Sequence, residues 1–112
     1  MRLLLVEHDQ ILGTRLRNSF KADGYTVDWL QEEEPLRDIL DIGEFDAVIL
    51  DVDYQQFDPI QEIKVIRSQG NRVPLLILSE KSSVSNRVIG LEASADDYLC
   101  KPVDQGELNA RL

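Results

Sequence analysis

Three polar residues with complementary chemistry follow three separate apolar runs of this chain. Each comes directly after its run, and the three are Asp51, Ser79 and Lys101. A carboxylate can attack a phosphoryl group when a hydroxyl orients the phosphoryl oxygens and an amine neutralises their charge. The residue types therefore predict phosphoryl transfer to Asp51.

A fourth apolar run, residues 3–6, ends in Glu7, His8 and Asp9. Carboxylates are ligands that Mg²⁺ prefers, and a divalent cation neutralises developing charge in phosphoryl transfer. In open α/β sheets the carboxyl ends of the parallel strands meet at one edge, where these sheets bind their ligands. The four runs are therefore expected to place their polar ends in one small pocket.

The elements that would position this pocket alternate between strand and helix patterns, which favours βα units around a parallel sheet. Short apolar runs predict five strands, at residues 2–6, 26–30, 46–51, 73–78 and 97–100. Four stripes of large apolar residues at helical spacing predict helices that face the sheet. The stripes are Leu12, Leu16 and Phe20; Leu36, Ile39 and Leu40; Ile60, Ile63 and Ile66; and Val84, Val88 and Leu91.

Glycine and proline mark the predicted helix ends. Three glycines stand where glycine commonly ends a helix, and they are Gly24, Gly43 and Gly70. Asp58 and Pro59 are typical of an N-cap followed by the first helical position. A fifth helix is predicted over residues 104–112 without a stop signal. We therefore expect residues 1–112 to be one domain from the N-terminal part of a longer protein.

Composition narrows the function classes. The chain has 12 basic and 21 acidic residues and a formal net charge of −9, which disfavours nucleic-acid binding by this segment. The single cysteine, Cys100, has no partner for an internal disulfide and is predicted to be a buried small hydrophobic residue. No signal peptide or apolar stretch of membrane-spanning length is present, so a cytoplasmic location is expected.

Six blocks in order along the chain carry a family resemblance. They are residues 1–7, 24–28, 45–51, 86–92, 95–102 and 107–112. Together they resemble bacterial response-regulator receiver domains of the OmpR/PhoB subfamily. The resemblance implies an α/β fold with a doubly wound five-stranded parallel sheet in the order 2-1-3-4-5, of the flavodoxin-like type, with helices on both faces and a truncated fifth helix.

The resemblance also implies roles for individual residues. Asp51 resembles the phosphoacceptor, and Ser79, Lys101 and Tyr98 resemble the residues that contact the phosphate or switch with it. Glu7, Asp51 and the backbone of Asp53 resemble the Mg²⁺ ligands. The peptide bond between Lys101 and Pro102 is expected to be cis. The domain would act in signalling rather than as an enzyme.

Four positions depart from the family pattern, and they are His8, Gln55, Pro59 and Glu80. His8 replaces the second acidic residue of the metal site, and imidazole is a poor ligand for a hard octahedral cation. Glu80 replaces a small residue and repels phosphate. Gln55 and Pro59 replace a proline and a flexible glycine in the loop after Asp51. Mg²⁺ binding and Mg²⁺-dependent phosphorylation of Asp51 are therefore predicted to be weak or lost.

Several alternatives stay open. The intact set of Asp51, Ser79 and Lys101 favours a conventional phospho-aspartate receiver that is switched by a sensor histidine kinase. His8 is interpreted as a solvated side chain, as an imidazolium that replaces metal charge, or as a ligand for Mn²⁺ or Zn²⁺. The motif Asp51-Val52-Asp53 also resembles small phosphatases of the haloacid-dehalogenase type, although the order of the later lysine and acidic pair is wrong.

The resemblance further implies partners. A homodimer would form through helix 4, strand 5 and helix 5, with Arg87 paired to Glu107 and Asp97 paired to Arg111 across subunits. The remaining residues of this predicted face are Val88, Leu91, Glu92 and Ala110. DNA would be bound only through a domain that follows Leu112.

Overall fold

The computed structural model describes residues 1–31, 35–53, 58–81 and 83–112. Strands and helices alternate along the chain. The strands are β1 (Arg2–Val6), β2 (Thr26–Leu30), β3 (Ala47–Asp51), β4 (Leu75–Ser79) and β5 (Asp97–Cys100). The helices are α1 (Gln10–Ala22), α2 (Leu36–Ile42), α3 (Pro59–Ser68), α4 (Val84–Glu92) and α5 (Gln105–Arg111).

The five strands form one parallel sheet in the order β2-β1-β3-β4-β5, as predicted. Its register aligns the carboxyl ends of the central strands. Val6 is opposite Leu50, Asp51 opposite Leu78, and Ser79 opposite Cys100. The residues that follow these strands therefore share one edge of the sheet.

Two apolar layers cover the two faces of the sheet. One face packs against Leu16 and Phe20 of α1 and Leu108 of α5. The opposite face packs against Leu36 of α2 and against Ile63 and Ile66 of α3. Burial on both faces explains the nearly unbroken apolar sequences of β3 and β4, whose five residues are all buried.

The predicted helix ends are confirmed at several positions. The Asp58 carboxylate accepts the N–H groups of Ile60 and Gln61, and Pro59 occupies the first turn of α3. Gly24 and Gly70 follow α1 and α3 with φ of 92° and 86°, a left-handed conformation that glycine adopts without steric cost. Strand β4 begins at Leu75 instead of residue 73, because Pro74 has no N–H and the Val73 N–H is bonded to Asn71 Oδ1.

The prediction that the apolar stripe of α4 faces the sheet was wrong. Its large apolar residues face outward, with Val84, Val88 and Leu91 exposed by 76%, 43% and 47%. The residue of α4 that is buried against the rest of the protein is Gly90. A Cβ at Gly90 would lie 3.0 Å from both the Ile77 side chain and the Tyr98 ring, so only glycine allows this approach without displacement of a neighbour.

Cys100 is half-buried rather than fully buried, and Arg87 Nη2 donates a hydrogen bond to its Sγ at 3.1 Å. Within the described ranges, no helix has the length and apolar character needed to cross a membrane.

Candidate functional site

Four strand ends place their polar groups together, as the sequence predicted. Glu7, Asp51 and Ser79 are the buried polar or charged residues of the described chain, with exposures of 0%, 2% and 0%. Lys101 Nζ lies 2.8 Å from Asp51 Oδ2. The peptide bond from Lys101 to Pro102 is cis, also as predicted. The carboxylate, hydroxyl and amine required for phosphoryl chemistry are therefore brought to one edge of the sheet.

The Asp53 side chain belongs to the same cluster, although the receiver resemblance implied a role only for its backbone. Its carboxylate lies 2.8 Å from Lys101 Nζ and accepts the Ser79 hydroxyl at 2.9 Å. The Glu80 N–H donates to both oxygens of Asp53, at 3.0 and 2.9 Å. The sequence signal was an acidic residue two positions after a strand-end aspartate.

Glu7 and Asp51 lie together in one buried space, and their pKa values are shifted in opposite directions. The pKa of Glu7 is raised from 4.5 to about 8, mainly by burial and also by hydrogen bonding to Asp51 and by the charge of Asp51. Burial also favours neutral Asp51, but its hydrogen bonds with Glu7 and Lys101 outweigh this and lower its pKa. At neutral pH the pair therefore holds one proton, mainly on Glu7.

Pairing with two carboxylates keeps Lys101 charged. Burial would lower the pKa of its ammonium, but hydrogen bonds to Asp51 and Asp53 outweigh burial and raise it. Lys101 therefore supplies a fixed positive charge between these two residues.

His8 lies at the mouth of the site. Its Nδ1 is 3.5 Å from Glu7 Oε1 and 3.4 Å from Asp51 Oδ2, and 37% of its side chain is exposed. One ligand atom from each of these three residues can be chosen so that all lie within 4.8 Å of one another. Asp9 caps α1 through bonds from the N–H groups of Ile11 and Leu12, so this carboxylate is engaged at the helix end.

The donor set fits a divalent cation, but it is less suited to Mg²⁺ than a set of carboxylates alone. Glu7 Oε2 is buried and receives no N–H or O–H donor from the residues that the structure describes, which leaves it free to face a cation or a shared proton. An imidazole beside two carboxylates favours a softer ion such as Mn²⁺ or Zn²⁺ over the hard, strictly octahedral Mg²⁺.

Tyr98 is connected to the site through backbone groups. Its hydroxyl donates to the Lys81 carbonyl at 2.8 Å, and the Lys81 N–H donates to Ser79 Oγ at 3.0 Å. The Glu80 side chain is exposed beside this segment. Of the other atypical positions, Pro59 begins α3, and Gln55 lies outside the described residues.

The predicted dimer face is exposed but already contains ion pairs within one chain. Arg111 pairs with Asp97 at 2.8 Å and with Glu107 at 3.3 Å. Arg87 bonds Cys100 instead of an acidic residue. The other residues of the face are exposed, and they are Val88, Leu91, Glu92 and Ala110.

Comparison with known proteins decides the family. The family model for the response regulator receiver domain matches residues 3–112. The chain belongs to this family. The receiver domain is 38% identical over 112 residues to the response regulator PmrA of Pseudomonas aeruginosa, covering all of this chain and 51% of that protein.

The other relatives agree. The receiver domain is 38% identical over 112 residues to the transcriptional regulatory protein QseB of Haemophilus influenzae, with 100% and 51% of the two chains covered. It thus spans about half the length of these curated relatives, which are of the OmpR/PhoB type.

Solved structures show the same fold. The receiver domain of the TMAO respiratory system response regulator TorR superimposes with a TM-score of 0.88 at 28% identity, covering 98% of this chain and 91% of that one. The receiver domain of Francisella response regulator 1452 gives a TM-score of 0.90 at 25% identity, with the same two coverages. The chain is therefore a signalling domain of the two-component type, which replaces the phosphatase interpretation.

Proposed function

We propose that this chain is an atypical receiver in which Mg²⁺-dependent phosphorylation of Asp51 is weak or lost. In the proposal the domain controls dimerisation and a downstream DNA-binding domain through the state of its α4, β5 and α5 surface. A sensor histidine kinase is then a partner of secondary importance, and Mg²⁺ is bound weakly or not at all. A cytoplasmic location stays a prediction.

The observation that carries the proposal is the position of His8. Its Nδ1 stands 3.4 to 3.5 Å from one oxygen of Asp51 and one oxygen of Glu7. A hard cation that bound these two carboxylates would meet an imidazole where a third carboxylate would be a better ligand. Without the hard cation, Lys101 is the cation among the described residues that contacts both Asp51 and Asp53. One ammonium does not neutralise two carboxylates together with the oxygens of an approaching phosphodonor, and the remaining negative charge opposes attack by Asp51 on the phosphoryl group.

A conventional phospho-aspartate receiver is the second candidate, and one observation favours it. Asp51, Ser79 and Lys101 converge, and the ammonium of Lys101 lies 2.8 Å from the Asp51 carboxylate. Transcriptional control is proposed in both cases, because relatives such as QseB are named as transcriptional regulators. DNA binding is assigned to the part of those proteins that this chain does not span.

Phosphorylation from acetyl phosphate separates the two candidates. We expect intact-mass spectrometry of the wild type to show no more than a small Mg²⁺-dependent gain of one phosphoryl group. His8→Asp supplies a hard oxygen ligand, so we expect this variant to gain the group in Mg²⁺ and not in EDTA.

Asp51→Ala is the control for the site of modification, in the wild-type background and in the His8→Asp background. Stoichiometric Mg²⁺-dependent modification of the wild type that disappears in Asp51→Ala would establish the conventional receiver instead.

A further inference from the structure

Three hydrogen-bond donors from two strand ends converge on one carboxylate of this chain. They are the Ser79 hydroxyl, the Glu80 backbone N–H and the Lys101 ammonium, here called the oxyanion cradle. All three contact Asp53, at distances from 2.8 to 3.0 Å. A hydroxyl, a backbone amide and an ammonium are also the kinds of donors that bind phosphoryl oxygens.

We propose that Asp53 is an internal occupant of the oxyanion cradle, so that the chain supplies its own anion where phosphoryl oxygens would bind. The inference deepens the proposed function, on which it rests for the role of the pocket. It gives the weak phosphorylation of Asp51 a second cause that does not depend on any metal.

The covalent link between Asp51 and Asp53 makes this occupant hard to displace. Only one residue separates the two, and the Asp53 N–H donates to Asp51 Oδ1 at 2.8 Å, which fixes the turn that returns the Asp53 side chain to the cradle. A tethered group competes at an effective concentration in the millimolar range or above. An external oxyanion binds only to the fraction of molecules in which Asp53 has left the cradle. Its apparent affinity is therefore the intrinsic affinity multiplied by that fraction.

The occupied cradle is connected to the outer surface of the domain. Ser79 Oγ donates to Asp53 and accepts the Lys81 N–H, and the Lys81 carbonyl accepts the Tyr98 hydroxyl. The Tyr98 ring in turn lies beside Gly90 of α4, where an added Cβ would be 3.0 Å away. Asp53 therefore helps to hold Tyr98 and α4 in one arrangement without a phosphoryl group.

Titration with inorganic phosphate tests the inference. The ¹⁵N-labelled chain is studied in metal-free buffer without a phosphodonor, and the amide resonances of Glu80 and Lys81 report on the cradle. We expect Asp53→Asn and Asp53→Ser to bind phosphate at least about tenfold more tightly than the wild type, because the competitor has lost its charge or its reach. Asp53→Ser should also shift the Glu80 and Lys81 amide resonances before phosphate is added.

Asp41→Asn is the matched control, since it removes one exposed carboxylate on α2 and should leave phosphate affinity unchanged. Thermal unfolding verifies that both Asp53 variants are folded. Equal phosphate affinity in the wild type and both Asp53 variants, or unmoved Glu80 and Lys81 resonances in Asp53→Ser, would overturn the inference. Neither result depends on whether Asp51 can be phosphorylated, which the intact-mass experiment measures separately.

Discussion

His8, Glu7 and Asp53 set the chemistry of the pocket around Asp51. His8 adds an imidazole where a carboxylate would bind Mg²⁺ better, Glu7 holds a proton, and Asp53 fills a set of donors suited to phosphate. Each of these side chains acts on a different requirement of phosphoryl transfer. Phosphoryl transfer requires a bound cation, an ionised pair of carboxylates and unoccupied donors for the phosphoryl oxygens. The three side chains affect these requirements separately, so single substitutions can test them one at a time.

Glu7 predicts a pH dependence of stability. Its pKa is raised from 4.5 to about 8 in the folded chain, so the folded state holds a proton that the unfolded state has lost between these pH values. Stability must therefore fall as pH rises from about 4.5 to about 8. Glu7→Gln removes the titration, and we expect its stability relative to the wild type to increase by about 2 kcal/mol or more between pH 5.5 and 8.5.

Urea denaturation in EDTA measures this effect at each pH. Glu44→Gln is the matched control, because it makes the same substitution at an exposed glutamate. A Glu7→Gln profile parallel to that of the wild type would contradict the assigned proton.

At the scale of elements, α1 and β2 meet through a glycine that the sequence analysis did not single out. A Cβ at Gly13 would lie 2.1 Å from Trp29 Cζ2, and Trp29 Nε1 donates to the Glu7 carbonyl at 2.9 Å. The close approach of α1 therefore supports the strand end that carries Glu7 and His8.

Gly13→Ala is expected to destabilise the domain. Alanine gains about 1 kcal/mol of helix propensity over glycine, but the clash with the rigid indole costs about 1–3 kcal/mol or more, so the net effect is a loss. We also expect a shift in the fluorescence of Trp29, the single tryptophan of the chain. Chemical denaturation followed by fluorescence measures both.

Gly106→Ala is the comparison for this variant. Gly106 lies in α5, and the contact of its added Cβ within 4 Å is Asp104 Oδ1 at 3.2 Å, which a small side-chain movement can relieve. An equal stability change in the two variants would show that helix propensity, and not contact with Trp29, decides the effect.

At the scale of the whole molecule, both faces of the sheet are buried, but the outer side of α4 is an exposed apolar surface. Leu91 and Val88 are exposed by 47% and 43%, and the predicted face also contains the ion pairs of Arg111 with Asp97 and Glu107. We predict that this surface forms the homodimer. Exposed ion pairs contribute little stabilisation, so the exchange of Arg111 between intrachain and cross-subunit partners costs little, and burial of the apolar residues drives association.

Leu91→Asp is expected to weaken dimerisation by at least about tenfold, because a carboxylate would be buried in an apolar contact. Sedimentation velocity over a concentration series measures the effect. Ile11→Asp is the control, since Ile11 is 85% exposed on α1, outside the predicted face. Identical association of the wild type and Leu91→Asp would remove this face as the interface.

Much of the fold and part of the site were predictable from local patterns. Short apolar runs located all five strands, and parallel order implied that the polar ends of four of them, among them Asp51, Ser79 and Lys101, would meet. The apolar stripe of α4 does not face the sheet, because apolar periodicity identifies a non-polar face of a helix without showing whether that face packs on a sheet or lies at the surface. The buried side of α4 uses Gly90, which has no hydrophobic signal.

By itself the sequence determined the element order, the strand ends and the identity of the groups at the edge of the sheet, since each depends on residues close together in the chain. Only the tertiary structure decided which partners those groups take. Asp53 bonds Ser79 and Lys101, and His8 approaches Asp51, across separations of tens of residues. Hydrogen bonds and ion pairs depend on distance and direction in space, and the sequence contains several acidic residues that could pair with the Lys101 ammonium and the Ser79 hydroxyl. The packing of the strand ends places Asp51 and Asp53 within bonding distance of these groups.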